Sequence, residues 1–213
     1  MSSWRTPPPP IPQSDIQEEF TADVVIVGLG YSGTAALRAA AESGAQVIGL
    51  EAMSERSFTT FGRDIGHINS NFLKSRGVPP VDPLELFNEG TARAGNPANP
   101  ALIMQYVKHS GAAFDWFTDP YGVDGLKDVH VAFWPDASPK FDGVIGAHRF
   151  WRGTAQFPEP RGWKGHPTPT ELVRANQNKA EELGAQVHFG TEAVQIECSG
   201  GRPTAILAKA RDG

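Results

Sequence analysis

Residues 22–51, ADVVIVGLGYSGTAALRAAAESGAQVIGLE, decide the fold class of this chain. Residues 23–27 are largely apolar and β-branched, which is typical of a parallel strand buried on both faces. Residues 31–43 are rich in Ala, Leu, Arg and Glu and are followed by Gly44, which predicts a helix that ends at a glycine. Residues 45–51 read as a second strand. A strand, a glycine turn, a helix and a strand in this order predict a right-handed βαβ unit.

The turn of this unit carries the pattern G-x-G-x-x-G at Gly28, Gly30 and Gly33, and Glu51 stands at the end of the second strand. The first glycine permits the tight turn, the second lets a diphosphate approach the backbone, and the third lets helix and strand pack closely. The helix N-terminus favours phosphate, and a carboxylate at the strand end accepts hydrogen bonds from a ribose but repels a 2'-phosphate. The segment therefore predicts an adenine dinucleotide site without a 2'-phosphate.

The predicted nucleotide contacts of this segment are Gly28, Gly30, Ser32, Gly33, Glu51 and Ala52. The alternative is a nucleotide-free α/β domain in which the glycines only shape the turn, and the position of the acid favours the nucleotide. Leu37 stands where such helices usually carry Gly or Ala, so we expect it to push the helix slightly away from the strand.

Composition narrows the function classes. The chain has 213 residues, a formal net charge of -5 and one cysteine, Cys198. This charge provides no basic field for nucleic acid or anionic lipid. No apolar run approaches the roughly 20 residues that span a bilayer, and a lone cysteine fits a reducing compartment. We expect a soluble, cytoplasmic protein with no membrane segment, no nucleic-acid partner and a buried, inert Cys198.

The rest of the chain predicts one domain over residues 21–213, preceded by a proline-rich tail over residues 1–20. Asp82 and Asn99, each followed by proline, mark two helix starts. Residues 119–167 combine prolines, glycines and aromatics without periodicity, which indicates an irregular insertion. Its aromatic and basic residues from Trp134 to Arg152 either line a substrate cleft or form a small core of the insertion, and we favour the core.

Regular structure returns at Thr168, where T-P-T-E is a capping-box signature for a helix that ends before Gly184. The stretches AQVHFG, EAVQIECS and PTAILAKA then predict three strands, of which the last two form a hairpin around Gly200 and Gly201. The chain shows no metal-ligand spacing of His and Cys, no G-x-S-x-G, and no Y-x-x-x-K. The glycine pattern alone leaves NAD and FAD open, because both contain the same adenosine diphosphate half.

Two later motifs favour FAD. Arg56-Ser57-Phe58-Thr59 and Gly66-His67-Ile68-Asn69 resemble the R-S-H-T and G-G-I-N elements of the fumarate reductase and succinate dehydrogenase flavoprotein family. The resemblance is wider, to a superfamily of FAD-dependent oxidoreductases that includes 3-ketosteroid dehydrogenases and urocanate reductases, and it extends through Phe114-Asp115-Trp116 to the final strands. It implies an α/β fold: a Rossmann-like FAD-binding domain with a βαβ start, a parallel sheet with helices, and an added β-hairpin.

The resemblance also implies individual contacts. Ser57 and Thr59 would bind the FAD phosphates or ribityl chain, Gly66 would let backbone approach the flavin, and Ala193 would offer backbone to the adenine. Phe58 replaces the histidine that tethers FAD in the respiratory members, so non-covalent FAD is expected. The spacing around Gly66 is about two residues longer than in the family, and His67 replaces the second glycine.

His67 has two interpretations. An imidazole near the flavin could move protons. A lone histidine in a glycine-rich loop is more often hydrogen-bonded to the backbone, and we favour this second interpretation.

In the family that the chain resembles, the sequence continues beyond the region of Lys209 to Gly213 into a further strand, a capping domain and a C-terminal return that contacts the flavin. The catalytic arginine and histidine lie in those parts. We therefore expect an incomplete, N-terminal FAD-binding portion of an oxidoreductase with a small-molecule substrate that carries an activated carbon–carbon bond, and we name no catalytic residue. The alternatives are a nicotinamide-dependent dehydrogenase domain and a non-catalytic dinucleotide-binding fragment.

Overall fold

The computed structural model describes residues 9–60, 62, 64–94, 99–132, 154–157 and 167–211. The chain divides into two compact units. The first unit comprises Met1–Phe58 and Gln177–Gly213, and the second comprises Thr59–Asn176.

The first unit is built on a parallel sheet whose strands are β1 (Val24–Val27), β2 (Val47–Leu50) and β6 (Gln186–His188), in the order β1-β2-β6. Helix α1 (Tyr31–Glu42) connects β1 to β2, and the two strands pair in parallel with Val24 opposite Val47. The predicted βαβ unit and the predicted fold class are thus confirmed. Gly44 ends the helix with φ +84°, as the sequence indicated.

Helix α1 packs on the sheet through an apolar core. Its members are Leu29, Leu37, Ala41, Val47, Ala180 and Ala185. Leu37 is fully buried, and the sheet makes room for it at Gly49: a Cβ on Gly49 would lie 3.0 Å from Leu37 Cδ1 and 2.9 Å from Leu29 Cδ2. The small residue at this contact between helix and strand is therefore Gly49 of β2, and the Leu37 side chain packs against the sheet at that position.

The burial predicted for β1 is wrong. Val25 and Val27 are 40% and 55% exposed, whereas their same-face partners in β2, Ile48 and Leu50, are 7% and 8% exposed. The reason is strand order, because β2 has a neighbour on each side and β1 lies at an edge of the described sheet. The apolar, β-branched sequence predicts a strand correctly but does not specify its place in the sheet.

The hairpin predicted near the C-terminus is confirmed. Strands β7 (Thr191–Ser199) and β8 (Arg202–Ala210) pair antiparallel, and Gly200 and Gly201 take φ of +58° and +78° at the turn between them. Cys198 in β7 is exposed, so its predicted burial is wrong. A two-stranded ribbon leaves most of its side chains open to solvent, and β7 and β8 contain no fully buried residue.

Helix α6 (Pro169–Glu182) begins in the second unit and ends in the first. Its predicted capping box is present, because Thr168 N–H donates to Glu171 Oε2 over 2.8 Å and Glu171 N–H donates to Thr168 Oγ1 over 3.2 Å. Gly184 follows the helix with φ +96°.

The second unit combines a small antiparallel sheet with helices. Its strands are β3 (Asp64–Gly66), β4 (His130–Ala132) and β5 (Thr154–Gln156), in the order β3-β5-β4, and its first helices are α2 (Asn71–Ser75), α3 (Pro83–Ala94), α4 (Pro100–Thr118) and α5 (Gly122–Gly125). Asp82 and Asn99 cap α3 and α4 as predicted, by accepting from Leu84 N–H over 2.9 Å and from Ala101 N–H over 3.0 Å. Ile68, Val81, Leu86 and Val107 form a core between these elements.

The predicted insertion at 119–167 is described only in part. Its described residues contain a 3-10 turn at Asp119–Tyr121, helix α5, and the strands β4 and β5. The stretch from Trp134 to Arg152, with its predicted small core, lies outside the described residues. The domain boundaries drawn from the sequence remain a prediction. Among the helices that the structure describes, each is too short or too polar to cross a bilayer.

Candidate functional site

The glycine turn joins the end of β1 to the start of α1 in the first unit. Gly28 N–H donates to Leu50 O over 2.8 Å, which ties the turn to the end of β2. Gly28 and Gly30 are exposed, while the Leu29 side chain between them is fully buried. The turn is therefore fixed on its inner side and open on its outer side.

The three glycines of the pattern differ in whether the protein's own structure requires them. Gly28 has φ +83°, a conformation that side chains disfavour. A Cβ on Gly33 would overlap the carbonyl oxygen of Gly28, so the helix can approach the strand only without one. Gly30 has an ordinary φ of -65°, and a Cβ there would meet none of the described residues within 4 Å. Neither its conformation nor packing against the described residues requires a glycine at residue 30.

The first turn of α1 presents backbone donors beside Gly30. The first helical hydrogen bond runs from Thr34 N–H to Gly30 O over 2.9 Å, so the amides of Ser32 and Gly33 have no helical acceptor. The Ser32 side chain is exposed at this end of the helix. Burial raises the pKa of the Tyr31 phenol, so this residue stays neutral and adds no negative charge there. The helix N-terminus thus keeps the partial positive charge that favours an anion.

Glu51 lies at the end of β2 and contacts this turn directly. Its Oε2 accepts from Leu29 N–H and its Oε1 accepts from Met53 N–H, each over 2.9 Å, and its side chain is 9% exposed. A carboxylate offers about four acceptor positions, so about two remain beside these two contacts. The contact of this acid with a ribose stays a prediction, and its hydrogen bond to the glycine turn was not predicted from the sequence.

Two buried polar side chains behind the turn were not predicted. Thr34 Oγ1 donates to Leu29 O over 2.7 Å, and Gln177 Nε2 donates to the same oxygen over 3.1 Å. Thr34 directly follows the third glycine of the pattern, and this position could have marked it as a residue of the turn. Gln177 lies in α6, 148 residues after Leu29, and nothing local in the sequence marks it.

Backbone hydrogen bonds bring the start of β7 to Glu51. Glu51 N–H donates to His188 O over 2.9 Å, and Thr191 N–H donates to Glu51 O over 2.8 Å. Ala52 is half-buried at this junction, and Ala193 lies two residues further along β7, at an irregularity in the pairing between Ala193 and Gln195. The structure thus groups the glycine turn, Glu51, Ala52 and the strand that carries Ala193 in the first unit.

Ser57 lies in a short turn that follows Glu51 in the chain. Its Oγ is 2.7 Å from Ser54 Oγ, and its N–H donates to Ser54 O over 3.0 Å. Both serines are exposed. The next residue, Phe58, is 8% exposed and packs edge-on against Phe189, with ring centroids 5.4 Å apart.

Thr59 and Gly66 lie in the second unit, so the structure does not group them with the glycine turn. Thr59 Oγ1 is 3.3 Å from Thr170 Oγ1. Gly66 ends β3 opposite Thr154 of β5.

His67 follows Gly66 and is buried, with 1% of its surface exposed. Its Nδ1 donates to Ile65 O over 2.9 Å, and its ring stacks on Phe114 with centroids 3.7 Å apart. Its Nε2 is buried without a partner among the described residues. Burial lowers the pKa of His67 from 6.5 to about 4, so the ring is neutral at pH 7. The hydrogen bond to Ile65 agrees with the favoured interpretation of this histidine as a backbone partner.

The first unit offers what a dinucleotide requires. Bare backbone at Gly30, helix-end amides and a carboxylate with remaining acceptor positions all occur at one turn. The open space at Gly30 fits a diphosphate, because a phosphate oxygen must approach an amide closely to accept from it.

Comparison with known proteins identifies the family. A family model described as FAD dependent oxidoreductase (DAO) matches residues 23–213. A curated NADH:fumarate oxidoreductase from Klebsiella pneumoniae (strain 342) is 33% identical over 100 residues, which cover 46% of this chain and 11% of that protein.

Solved structures share the fold. A 3-ketosteroid-Δ4-(5α)-dehydrogenase from Rhodococcus jostii RHA1 matches 92% of this chain with a TM-score of 0.66 and 24% identity. The Sdh1 complex of Mycobacterium smegmatis matches 88% with a TM-score of 0.61 and 19% identity, and a flavocytochrome c3 fumarate reductase matches 90% with a TM-score of 0.58 and 15% identity. The matched parts are 44%, 30% and 34% of those three chains, so this chain spans less than half of their length.

The family match covers nearly the whole described chain, and it agrees with the parallel sheet, the glycine turn and the acid at the end of β2. The resemblance noted in the sequence is therefore confirmed. The chain belongs to the FAD-dependent oxidoreductase family.

Proposed function

We propose that this chain holds FAD by its adenosine diphosphate half at the glycine turn of the first unit. The observation that carries the proposal is Gly30, where neither φ nor packing requires a glycine and the outer side is open. A ligand whose phosphate rests against the backbone supplies the missing reason. A Cβ at residue 30 would stand between the amide and that phosphate.

The other residues of the turn have matching roles. The amides of Gly30, Ser32 and Gly33 donate to the diphosphate, and the helix N-terminus adds a favourable field. Glu51 accepts from the ribose hydroxyls with the acceptor positions that Leu29 and Met53 leave unused.

Five further residues complete the proposed set of cofactor contacts. They are Ala52, Ser57, Thr59, Gly66 and Ala193. The backbone of Ala193 contacts the adenine, and Ser57 and Thr59 bind the phosphates or the ribityl chain. Gly66 lets the backbone approach the flavin. Among the described residues, the exposed hydroxyl of Ser57 is held only by its local turn with Ser54, so it can exchange that contact for a phosphate oxygen.

The proposal includes non-covalent attachment. Phe58 offers no nucleophile for a covalent bond to the cofactor, and its ring is packed against Phe189. Acid precipitation of the purified holoprotein should release the yellow cofactor into the supernatant. Colour that stays with the precipitated chain would contradict this part.

For the complete protein we propose hydride transfer between the flavin and an activated carbon–carbon bond of a small-molecule substrate. The relatives named for fumarate and for a ketosteroid support this class of reaction. FAD supplies the redox chemistry when bound. The residues of this chain bind the nucleotide half and hold it in place.

Gly30→Ala tests the proposal. The apo variant should unfold at the same denaturant concentration as wild type, because the added methyl group meets none of the described residues. FAD affinity should fall at least about tenfold, which is about 1.4 kcal/mol. Ala39→Ser on the exposed side of α1 is the matched control and should change neither quantity. Unchanged FAD affinity of Gly30→Ala would overturn the proposed position of the diphosphate.

Glu51→Gln tests the ribose contact. Loss of the charged acceptor should weaken FAD binding by about 1.5–3 kcal/mol. Glu55→Gln, an exposed site four residues later, is the control and should bind as wild type does. Equal affinities of Glu51→Gln and wild type would exclude the ribose role.

The visible spectrum separates FAD from a nicotinamide cofactor. The purified chain, reconstituted with FAD, should absorb at about 450 nm after gel filtration, as bound oxidised flavin does. A colourless protein that is stabilised against heat by NAD and not by FAD would identify a nicotinamide domain instead.

A further inference from the structure

We propose that Thr34 and Gln177 are positioning residues that aim the Gly30 amide at the diphosphate of the bound dinucleotide. The inference rests on the proposed function, because it assumes that a dinucleotide binds at the glycine turn. It adds two side chains that have no direct contact with the ligand.

Thr34, Gln177 and the Leu29 carbonyl form a closed triangle of hydrogen bonds. Thr34 Oγ1 lies 2.7 Å from Leu29 O, Gln177 Nε2 lies 3.1 Å from the same oxygen, and Gln177 Nε2 lies 3.1 Å from Thr34 Oγ1. All three residues are fully buried. The triangle is therefore sealed from water, and its polar groups depend on one another.

The donors and acceptors of the triangle have one consistent assignment. The Leu29 carbonyl has two lone pairs, and it accepts one hydrogen from Thr34 and one from Gln177. The hydroxyl of Thr34 is thus committed as a donor, and its own lone pair accepts from the Gln177 amide. Both acceptor positions of the Leu29 oxygen are occupied, so this carbonyl is fixed in direction.

A fixed Leu29 carbonyl fixes the Gly30 amide as well. The peptide bond is planar and trans, so the C=O of Leu29 and the N–H of Gly30 point in opposite directions. The carbonyl faces the buried Thr34 and Gln177 side chains, and the Gly30 N–H consequently faces the exposed side of the turn. A Cβ on Gly30 would also meet none of the described residues within 4 Å, so the surroundings of this residue are open.

The preceding peptide is held from its other end. Leu29 N–H donates to Glu51 Oε2 over 2.9 Å. Both peptide groups that flank Leu29 are therefore anchored before any ligand arrives. A donor that is already oriented loses less conformational entropy on binding than one that must be ordered.

Stability alone does not call for this arrangement. Thr34 and Gln177 lie beside the apolar core formed by Leu29, Leu37 and Ala180. Burying polar side chains costs free energy that their hydrogen bonds only offset, and an apolar pair of the same shape can be equally stable. What Thr34 and Gln177 do and an apolar pair would not do is fix the direction of the peptide group between Leu29 and Gly30.

The experiment compares Thr34→Val, which removes the hydroxyl at constant shape, with Thr34→Ser, which retains it, and adds Gln177→Met. Each is made in the full 213-residue chain. Three quantities are measured: the FAD dissociation constant by fluorescence titration, the 31P resonances of the diphosphate at saturating FAD, and the unfolding midpoint of the apo chain.

Thr34→Val and Gln177→Met should each raise the FAD dissociation constant about tenfold and shift the 31P resonances. The visible spectrum of the bound flavin should stay unchanged, because the diphosphate is remote from the ring. Thr34→Ser should restore wild-type affinity and 31P resonances. The double variant should bind FAD no more weakly than the worse single variant, since either change releases the same peptide.

Two results would overturn the inference. One is a lowered unfolding midpoint with unchanged FAD affinity and 31P resonances, which would mean that the triangle only stabilises the fold. The other is a Thr34→Ser variant that behaves as Thr34→Val does. If Gln177→Met does not fold, the Thr34 pair decides by itself. The FAD titration of the wild-type chain tests the proposed function separately. If wild type binds no FAD, the proposed function is wrong, whatever the variants do.

Discussion

Two connecting segments of the molecule, one in each unit, are both held by a carboxylate that accepts from a backbone N–H, but they differ in what lies beside them. The glycine turn of residues 28–33 joins β1 to α1, and the loop of residues 66–72 joins β3 to α2. Side chains fix the backbone of both. Glu51 holds the turn through Leu29 N–H, and Asp115 holds the loop through Asn71 N–H over 2.7 Å.

The two segments differ in what fills the space beside them. In the loop, a Cβ on the neighbouring Gly111 of α4 would overlap Ile68 O, and His67 is buried against Phe114. The protein itself occupies that side. At the glycine turn, the space beside Gly30 is open. A glycine that the protein's own packing explains is structural, whereas a glycine that it does not explain points to a ligand.

The largest expected effect separates packing glycines from Gly30. Gly33→Ala and Gly111→Ala each place a methyl group against a backbone carbonyl that cannot move freely. Overpacking of this kind should lower the free energy of unfolding by about 3 kcal/mol. Denaturant titration of each apo variant measures it, with Ala112→Ser on the exposed side of α4 as control.

The distinction between glycines required by packing and Gly30 would be wrong if Gly33→Ala had the same free energy of unfolding as Gly30→Ala. Equal stabilities would mean that the helix can withdraw from the strand at little cost, and the distinction between the two kinds of glycine would lose its basis.

The next effect concerns His67 and pH. Because burial lowers the pKa of His67 to about 4 from 6.5, the unfolded chain binds a proton at this residue before the folded chain does. Stability should therefore be fully present above pH 6.5, fall as the pH drops towards 4, and level off below it, with a total of about 3 kcal/mol.

Urea titrations of wild type and His67→Gln between pH 4 and 7 measure this contribution. The variant should lose stability at pH 7 but show a flatter pH dependence. His109→Gln, at an exposed site in α4, should keep the wild-type slope. Parallel pH profiles of wild type and His67→Gln would show that the buried imidazole is not the group that responds.

A smaller effect tests how Leu37 fits against the sheet. Gly49→Ala should destabilise the first unit by about 1–3 kcal/mol, since its Cβ would crowd Leu29 and Leu37. In the background of Leu37→Ala, which itself should cost about 2–5 kcal/mol, the Gly49→Ala change should cost clearly less. A double-mutant cycle measures the coupling. Strict additivity would mean that Leu37 does not depend on the missing Cβ.

The smallest expected effect is at Asp115, which accepts from Asn71 N–H and from Phe72 N–H over 2.7 and 3.2 Å. Asp115→Asn keeps one carbonyl acceptor and should cost about 1 kcal/mol. Amide hydrogen exchange at Asn71 and Phe72 should accelerate. The exposed Asp128→Asn is the control and should leave both amides as they are. Unchanged exchange in Asp115→Asn would show that the loop has another anchor.

The sequence predicted most of the local structure correctly. The G-x-G-x-x-G turn, the helix end at Gly44, the capping box at Thr168 and the Gly200-Gly201 hairpin were all identified from residues adjacent in the chain. Each depends on backbone conformation or on a hydrogen bond within a few residues, so the signal is complete in a short window.

Two burial predictions were wrong for a common reason. Residues 23–27 suit a buried strand and a lone thiol such as Cys198 is usually buried, yet β1 lies at an edge of the described sheet and β7 in a two-stranded ribbon. A hydrophobic sequence shows that a strand can be buried, whereas the elements that pack beside the strand decide how far its side chains are buried.

For the candidate site, the glycine turn and the acid at the end of the next strand could be predicted from the sequence, because the βαβ unit encodes both within residues 22–51. The contacts that hold this turn depend on the folded chain. The tertiary structure placed Gln177 on a carbonyl 148 residues earlier, aimed Glu51 at Leu29, and left the space beside Gly30 open. Such contacts join distant parts of the chain, so packing decides them and no local pattern records them.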